Sequence, residues 1–357
     1  MTSRERVLAA LSHKETDTVP FSMGFGINLP ARQSLASYLN RDLTDVESRL
    51  FSLSDIRWVY PKYIGPKDRE LYLPDGSHID MWGVRRIRVD NGKDIYMEID
   101  DYPLENIGRV EELNDYVFPD VSWFDFSNIP EDINNINHDG EYAILLGVLP
   151  IFETAWYMRG LENMLASLLI EPELAQLLLE KITCFSIEYC NRALAAAEGK
   201  IDIVFTADDI GSQTGLLLSL HLWEKMIKPC HMRLNKVIHN HGAKVMYHTD
   251  GAVMEAVNGL IDMGIDILEA LQFDAKNMNP MEMKSRWGDK LCFHGGISVQ
   301  STLPFGTPEE VDAEVREHIR VLGKDGGYIL APSHAIQGGT PPENIMAFLR
   351  AAGKSVL

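Results

Sequence analysis

From residue 142 to the C-terminal end, short apolar runs alternate with longer stretches whose apolar positions recur every three or four residues. The first pattern predicts buried strands and the second amphipathic helices. Strands are expected at 142–149, 201–206, 243–248, 267–271, 291–294 and 327–331. Helices are expected between them at 152–169, 172–197, 222–240, 254–263, 280–287 and 308–322, with a last one at 342–352. Upstream, a helix is predicted over 2–11, capped by Thr2 or Ser3, with Val7, Leu8 and Leu11 on one face. Two more strands at 19–25 and 56–60 bring the count to eight, and 35–39 and 45–51 read as helical.

Alternating βα units of this kind predict parallel pairing with helices outside, and eight of them predict a (β/α)8 TIM-type barrel with an N-terminal helical region. A doubly wound open sheet is the competing architecture. No GxGxxG follows any strand, which removes its most readable signature. Between about 70 and 100 the period changes to strict alternation, with Asp75-Gly76 and Asn91-Gly92 as hairpin turns, so a small antiparallel excursion is expected there. The acidic, Asn-rich stretch 101–140 reads as an irregular linker with at most short helices. The expectation is one barrel domain over 1–357.

Composition narrows the function classes. A chain with 45% hydrophobic residues has ample core for one large domain, and a formal charge of −19 argues against a nucleic-acid partner. Cys184, Cys190, Cys230 and Cys292 form no CxxC pair and read as buried reduced thiols. The N-terminus lacks the apolar stretch of a signal peptide, and no run is long enough to span a bilayer. A cytoplasmic protein with no membrane partner is expected; whether it forms a homodimer stays open.

In a barrel the site lies where strand C-termini meet their loops, and reactive side chains cluster at those places. Thr206-Ala207-Asp208-Asp209 follows one strand, His248-Thr249-Asp250 ends another, and Glu269 and Gln272 lie near the end of a third. His294-Gly295-Gly296 and Pro332-Ser333-His334 follow the last two. His248 and Asp250 are two apart in extended chain, so an imidazole and a carboxylate face one side and can meet one ion. With His334 as a third ligand, an open fourth position gives the pattern of a catalytic zinc. The alternative is a His–Asp hydrogen bond capping a strand.

Asp208 and Asp209 read as one catalytic acid/base or anchoring carboxylate and one turn cap, with Asp209, helped by Gln213, the better candidate for the site. Glu153 reads either as a further metal ligand or as a helix N-terminal charge. His294 is open to a ligand or a packing role. His221, His231, His239 and His241 read as surface or packing residues of a helix.

The segments SRERVLAALSHKETDTVPF, ADDIGSQTGLLLS, YHTDGAV and FHGGISVQSTLPFGTPEEV…GGYILAPSHAIQGGTPPENI resemble the uroporphyrinogen decarboxylase superfamily over nearly the whole chain. The resemblance implies one of two activities: cofactor-independent decarboxylation of a porphyrinogen, or methyl transfer to or from a separate corrinoid protein with a bound zinc. The decarboxylases carry arginines after the first strand to receive a polyanion; FSMGFGINLPARQS offers only Arg32. The resemblance therefore leans to the methyltransferases, with His248 and His334 at the positions of their first and last zinc ligands. Their thiol-methylating members carry cysteine where this chain has Asp250, and again near His334. A carboxylate leaves zinc harder and more Lewis acidic than a thiolate does, which suits activating an oxygen leaving group. The expected substrate is a small methylated donor, preferably an aryl methyl ether, with Phe25, Trp156 and Tyr157 as aromatic walls and Glu269, Gln272, His294 and Gln213 among the binding residues.

Overall fold

The computed structural model describes residues 1–137 and 139–355; His138, within the stretch expected as a linker, and the last two residues lie outside the described residues. Seven parallel strands make one curled sheet: β1 (Ile56–Val59), β2 (Ala143–Gly147), β3 (Ile203–Ala207), β4 (Lys244–His248), β5 (Ile267–Ala270), β6 (Cys292–Ile297) and β7 (Tyr328–Pro332). Their order in the sheet is their order in the chain, with helices in the crossovers, as a TIM-type barrel requires.

The eighth strand, expected at 19–25, is reduced to one bridge. Phe21 pairs in parallel with Leu330 of β7, and its carbonyl accepts the Asp55 amide at 2.8 Å beside β1, so this short segment closes the ring. Pro20 has no amide hydrogen, and Gly24 and Gly26 turn the chain at φ +55° and +84°, which ends the extended run after Ser22. Two expected helices are each split. Gly160, at φ +85°, separates Phe152–Arg159 from Leu161–Ile170, and a break at Ile227 before Pro229 separates Leu220–Met226 from Lys228–Asn240.

Period-two alternation sends Ile56, Leu145, Ile203, Phe205, Met246, Ile267, Cys292 and Ile329 into the barrel interior as a cluster of their own. Val7 and Leu11 of the first helix (Ser3–Leu11) join that cluster and so plug one end. That helix starts where the sequence asks: Thr2 and Glu5 form a reciprocal capping box. The excursion is a four-stranded antiparallel sheet (Leu71–Tyr72, His78–Ile79, Arg85–Asp90, Ile95–Asp101), turning at Gly76 and Gly92 with positive φ. The linker carries two short α-helices, Val110–Asp115 and Ile129–Ile136. Cys190 and Cys292 are buried, but Cys184 is exposed on the long helix Pro172–Ala197, where it donates to Glu180, which corrects the reading of all four cysteines as buried. Among the described residues no helix is long and apolar enough to cross a membrane.

Helix Pro308–Leu322 buries His318 against Phe273, with ring centres 5.2 Å apart. Burial pushes this imidazole from its ordinary 6.5 down to about 4. The unfolded chain therefore binds a proton at a pH where the folded one does not, and stability is lost as pH falls through that window. His318→Phe is expected to remove roughly 3 kcal/mol from the acid destabilisation between those two values. Denaturant melts at pH 7 and pH 4.5 measure it; an unchanged pH difference would contradict the assignment.

Candidate functional site

In parallel register His248 of β4 stands beside Ala207 of β3 and Glu269 of β5, and Glu269 stands beside His294 of β6. The inward alternation that buries Met246, Ile267 and Cys292 puts His248, Glu269 and His294 on the same face one layer nearer the C-terminal mouth. All three are buried. His248 Nδ1 is hydrogen-bonded to Glu269 Oε2, while its Nε2 lies 3.6 Å from Asp209 Oδ1. Glu269 Oε1 lies 3.7 Å from His294 Nδ1. Burial opposes both charges, but within the pair attraction wins: the imidazole is held well above its ordinary pKa and the carboxyl below.

One ligand atom each of His248, Asp250 and His334 lie within 4.8 Å of one another. Two loops bring Asp250 there. Its amide donates to Asp209 Oδ1 at 2.7 Å, and the next amide, Gly251, donates to Gln272 Oε1 at 2.8 Å. Gly251 has φ +86°, and a Cβ there would stand 2.6 Å from the Ser212 carbonyl oxygen, so only glycine lets the two loops meet. Burial raises the Asp250 carboxyl to about 6, and burial with the charge of His248 lowers the His334 imidazole. Phe25 covers the group, its ring centre 4.8 Å from that of His334 and 5.0 Å from that of His248.

The donor set fits a divalent cation. Two imidazoles and a carboxylate converge, and Nδ1 of His248 is held by the Glu269 carboxylate, an arrangement of the kind that orients metal-ligating histidines. Glu153, read as a further ligand or as a helix N-terminal charge, lies in the first turn of Phe152–Arg159 and is not among the converging donors. Its Oε1 accepts the Tyr157 hydroxyl at 2.8 Å, and burial together with the charges of Asp209 and Asp208 raises it to about 8.

Asp208 sits below, fully buried, with its Oδ2 at 2.5 Å from His231 Nε2 and its Oδ1 accepting the Glu153 amide at 2.9 Å. Both oxygens being engaged, it anchors the loop, and Asp209 is the member of the pair that faces the cluster. Gln213 is exposed and donates to Gln300 on the rim.

A cavity of about 790 Å³ opens beside Phe25. Trp58, Tyr60, Trp82, Phe124, Phe185, Tyr189 and Phe205 wall it, so the excursion, the linker and the long helix Pro172–Ala197 all contribute. Gly147 permits this at the mouth, since a Cβ on it would stand 2.6 Å from the Tyr60 ring. Trp156 and Tyr157, expected as walls, do not line the cavity: Tyr157 is turned to Glu153 and Arg86, with Trp156 packed against it. Of the three expected aromatic walls Phe25 lines the cavity; sequence reasoning missed the others because they come from segments far apart in the chain. Only Phe205 left a signal, as a bulky residue at an inward position of an inner strand.

The barrel with a polar cluster at its C-terminal mouth defines an enzyme-like member of one fold family, and comparison identifies it. The model of the uroporphyrinogen decarboxylase (URO-D) family matches residues 99–355, and the chain belongs to that family. A methylated-thiol–coenzyme M methyltransferase of Methanosarcina mazei is 28% identical over 65% of this chain and 61% of its own length. The chain thus spans about three fifths of that relative. A uroporphyrinogen decarboxylase of Vesicomyosocius okutanii is 23% identical, with 68% of each chain covered. A solved structure described as a methyltransferase from Methanosarcina mazei superposes with a TM-score of 0.70 at 19% identity, covering 99% of this chain and 98% of its own, which shows the shared fold.

Proposed function

We propose that this protein is a methyltransferase that takes a methyl group from a small methylated donor, preferably an aryl methyl ether, and passes it to the Co(I) of a corrinoid carried by a separate protein, with zinc held by His248, Asp250 and His334. The observation that carries this reading is the convergence of those three donors within 4.8 Å at the barrel mouth. The likeness to a methyltransferase of Methanosarcina mazei supports the same class. Zinc, when bound, supplies Lewis acidity to the leaving oxygen.

The chain's own residues do the rest. Glu269 fixes the His248 ring through Nδ1, leaving Nε2 toward the ligand group. Asp209 holds the Asp250 backbone and is the carboxylate beside the cluster. Glu153, raised to about 8, keeps a proton at neutral pH. Phe25 packs its ring against those of His248 and His334.

The reading is tested by metal analysis of the purified protein, followed by transfer from methoxyphenol to a reduced corrinoid acceptor. About one zinc per chain and methylated corrinoid are expected; a metal-free, fully active protein would sink it. Glu269→Gln keeps the shape but weakens the orienting partner, and is expected to lower zinc affinity roughly 10- to 100-fold in a chelator competition. A porphyrinogen decarboxylase is less well served. Among the described residues no lysine, arginine or histidine lines the cavity, and Arg32 is already paired with Glu47.

A further inference from the structure

The hairpin between Arg85–Asp90 and Ile95–Asp101 of the antiparallel excursion presents a buried carboxylate that is far from the barrel strands in sequence. Asn91 builds the turn: its Oδ1 accepts the amides of Lys93 and Asp94 at 3.0 and 2.8 Å, and Gly92 takes φ +82°. Asp94, just after that turn, is 2% exposed. Among the described residues no lysine, arginine or histidine pairs with it, and its charge is met by N–H groups alone. Oδ1 accepts its neighbour Ile95's amide at 2.8 Å, while Oδ2 accepts both Asn28 Nδ2 at 2.7 Å and the Gly338 amide at 2.6 Å. Burial works against the charge, but the three donors outweigh it and hold the carboxyl below its ordinary value.

The two bonds to Oδ2 come from the segments that carry Phe25 and His334. These segments also pair with each other: Ile27 and Ile336 form a parallel bridge, the Ile336 amide donating to the Gly26 carbonyl at 2.9 Å and the Asn28 amide to the Ile336 carbonyl at 2.8 Å. Tyr96 adds a further tie, its hydroxyl donating to Gln337 Oε1 at 3.1 Å. The hairpin fits closely, since a Cβ on Gly338 would stand 2.1 Å from the Lys93 carbonyl oxygen. Asn28 is the N-cap of helix Leu29–Leu39, where an asparagine side chain ordinarily accepts a backbone amide. Here it makes no such bond and donates to Asp94 instead. On its other side His334 follows Ser333, whose amide donates to the Ile297 carbonyl at 2.8 Å. His334 is therefore strung between the end of β7 and a junction centred on Asp94.

We infer that Asp94 is a positioning residue for the metal site: through Asn28 and Gly338 it sets the two segments that bring Phe25 and His334 to His248 and Asp250, so that metal affinity depends on docking of the excursion hairpin. The inference rests on the metal reading of His248, Asp250 and His334, and not on which methyl donor is used. Such coupling is reciprocal. Whatever factor the docked hairpin adds to zinc affinity, zinc adds to the docking of the hairpin. A contact spanning 244 residues of chain, from Asp94 to Gly338, thereby makes the excursion part of the site.

Chelator competition for zinc on the whole chain, together with the visible spectrum of the cobalt(II)-loaded form, tests it. Asp94→Ala is expected to weaken zinc about tenfold, the low end of what orienting partners of metal ligands contribute, and to shift the cobalt spectrum. Asp94→Asn should fall between the two, because its amide oxygen can take both bonds of Oδ2 while its NH2 group faces the Ile95 amide. Asn28→Ala removes one of the two bonds and no helix cap, and is expected to weaken zinc about threefold; it keeps the test decisive should the Asp94 variants not fold. Arg85→Ala, which breaks the ion pairs to Asp75 and Asp100 elsewhere in the same sheet, should leave zinc affinity unchanged. In the parent protein, zinc should slow amide hydrogen exchange over 91–96. Lowered melting temperatures with zinc affinity and cobalt spectrum unmoved would show a merely structural role and overturn the inference, as would exchange over 91–96 that ignores zinc. A parent protein that takes up neither zinc nor cobalt would defeat the metal reading itself, and the inference with it.

Discussion

His248→Ala is expected to yield folded protein that retains almost no zinc and transfers methyl groups about a thousandfold more slowly. His248 is the member of the ligand group with the most support around it: its ring is buried, bonded to Glu269 through Nδ1, and in edge contact with Phe25. Its loss leaves Asp250 and His334, too few to hold zinc with an open position for substrate. Lewis-acid stabilisation of a leaving oxygen is worth several kcal/mol, and about 4 kcal/mol corresponds to that thousandfold change. Metal content and single-turnover rates are to be measured on the same preparation. Full zinc occupancy in the variant would remove His248 from the ligand set, and unchanged rates with no zinc would remove the metal from the reaction.

His231→Ala is expected to destabilise the fold by about 3 kcal/mol, the cost of stripping a buried carboxylate of its partner. The pair is closed from solvent on both sides, His231 and Asp208 each having no exposed side-chain surface, and the contact is 2.5 Å. Asp208 also holds the Glu153 amide at the start of helix Phe152–Arg159. The damage should therefore reach the loop bearing Asp209 and Glu153 while leaving the ligand group itself intact. Denaturant unfolding gives the stability loss and chelator competition gives zinc affinity. A variant as stable as the parent would show that the pair does not hold the loop. Asp208→Asn, which keeps the hydrogen bonds without the charge, should cost less.

Much of the barrel is readable from periodicity because a parallel strand is buried on both faces and its helices on one. The helices Pro172–Ala197, Pro280–Trp287 and Pro308–Leu322 have the bounds that their prolines and apolar spacing predict. The weakest point was 19–25, where closure depends on one bridge at Phe21. Backbone hydrogen bonds to Leu330 and Asp55 make it, and neither partner is local in sequence.

The convergence of His248 with Asp250 was legible for the same local reason that strands alternate. His334 joined them because all barrel strands deliver their C-terminal ends to one mouth. Glu153 and Asp208 read alike in the sequence, each an acid after a strand, and packing alone separated them from the ligand group. One was taken up by Tyr157 and the other by His231.

By itself, then, the sequence determined the strand-and-helix order and the inward face of each strand, since these follow from spacing along one chain. Tertiary structure decided the aromatic cavity and the partner of each buried acid. Those depend on which side chains meet across tens or hundreds of residues, and such contacts are set by packing geometry that no local period encodes.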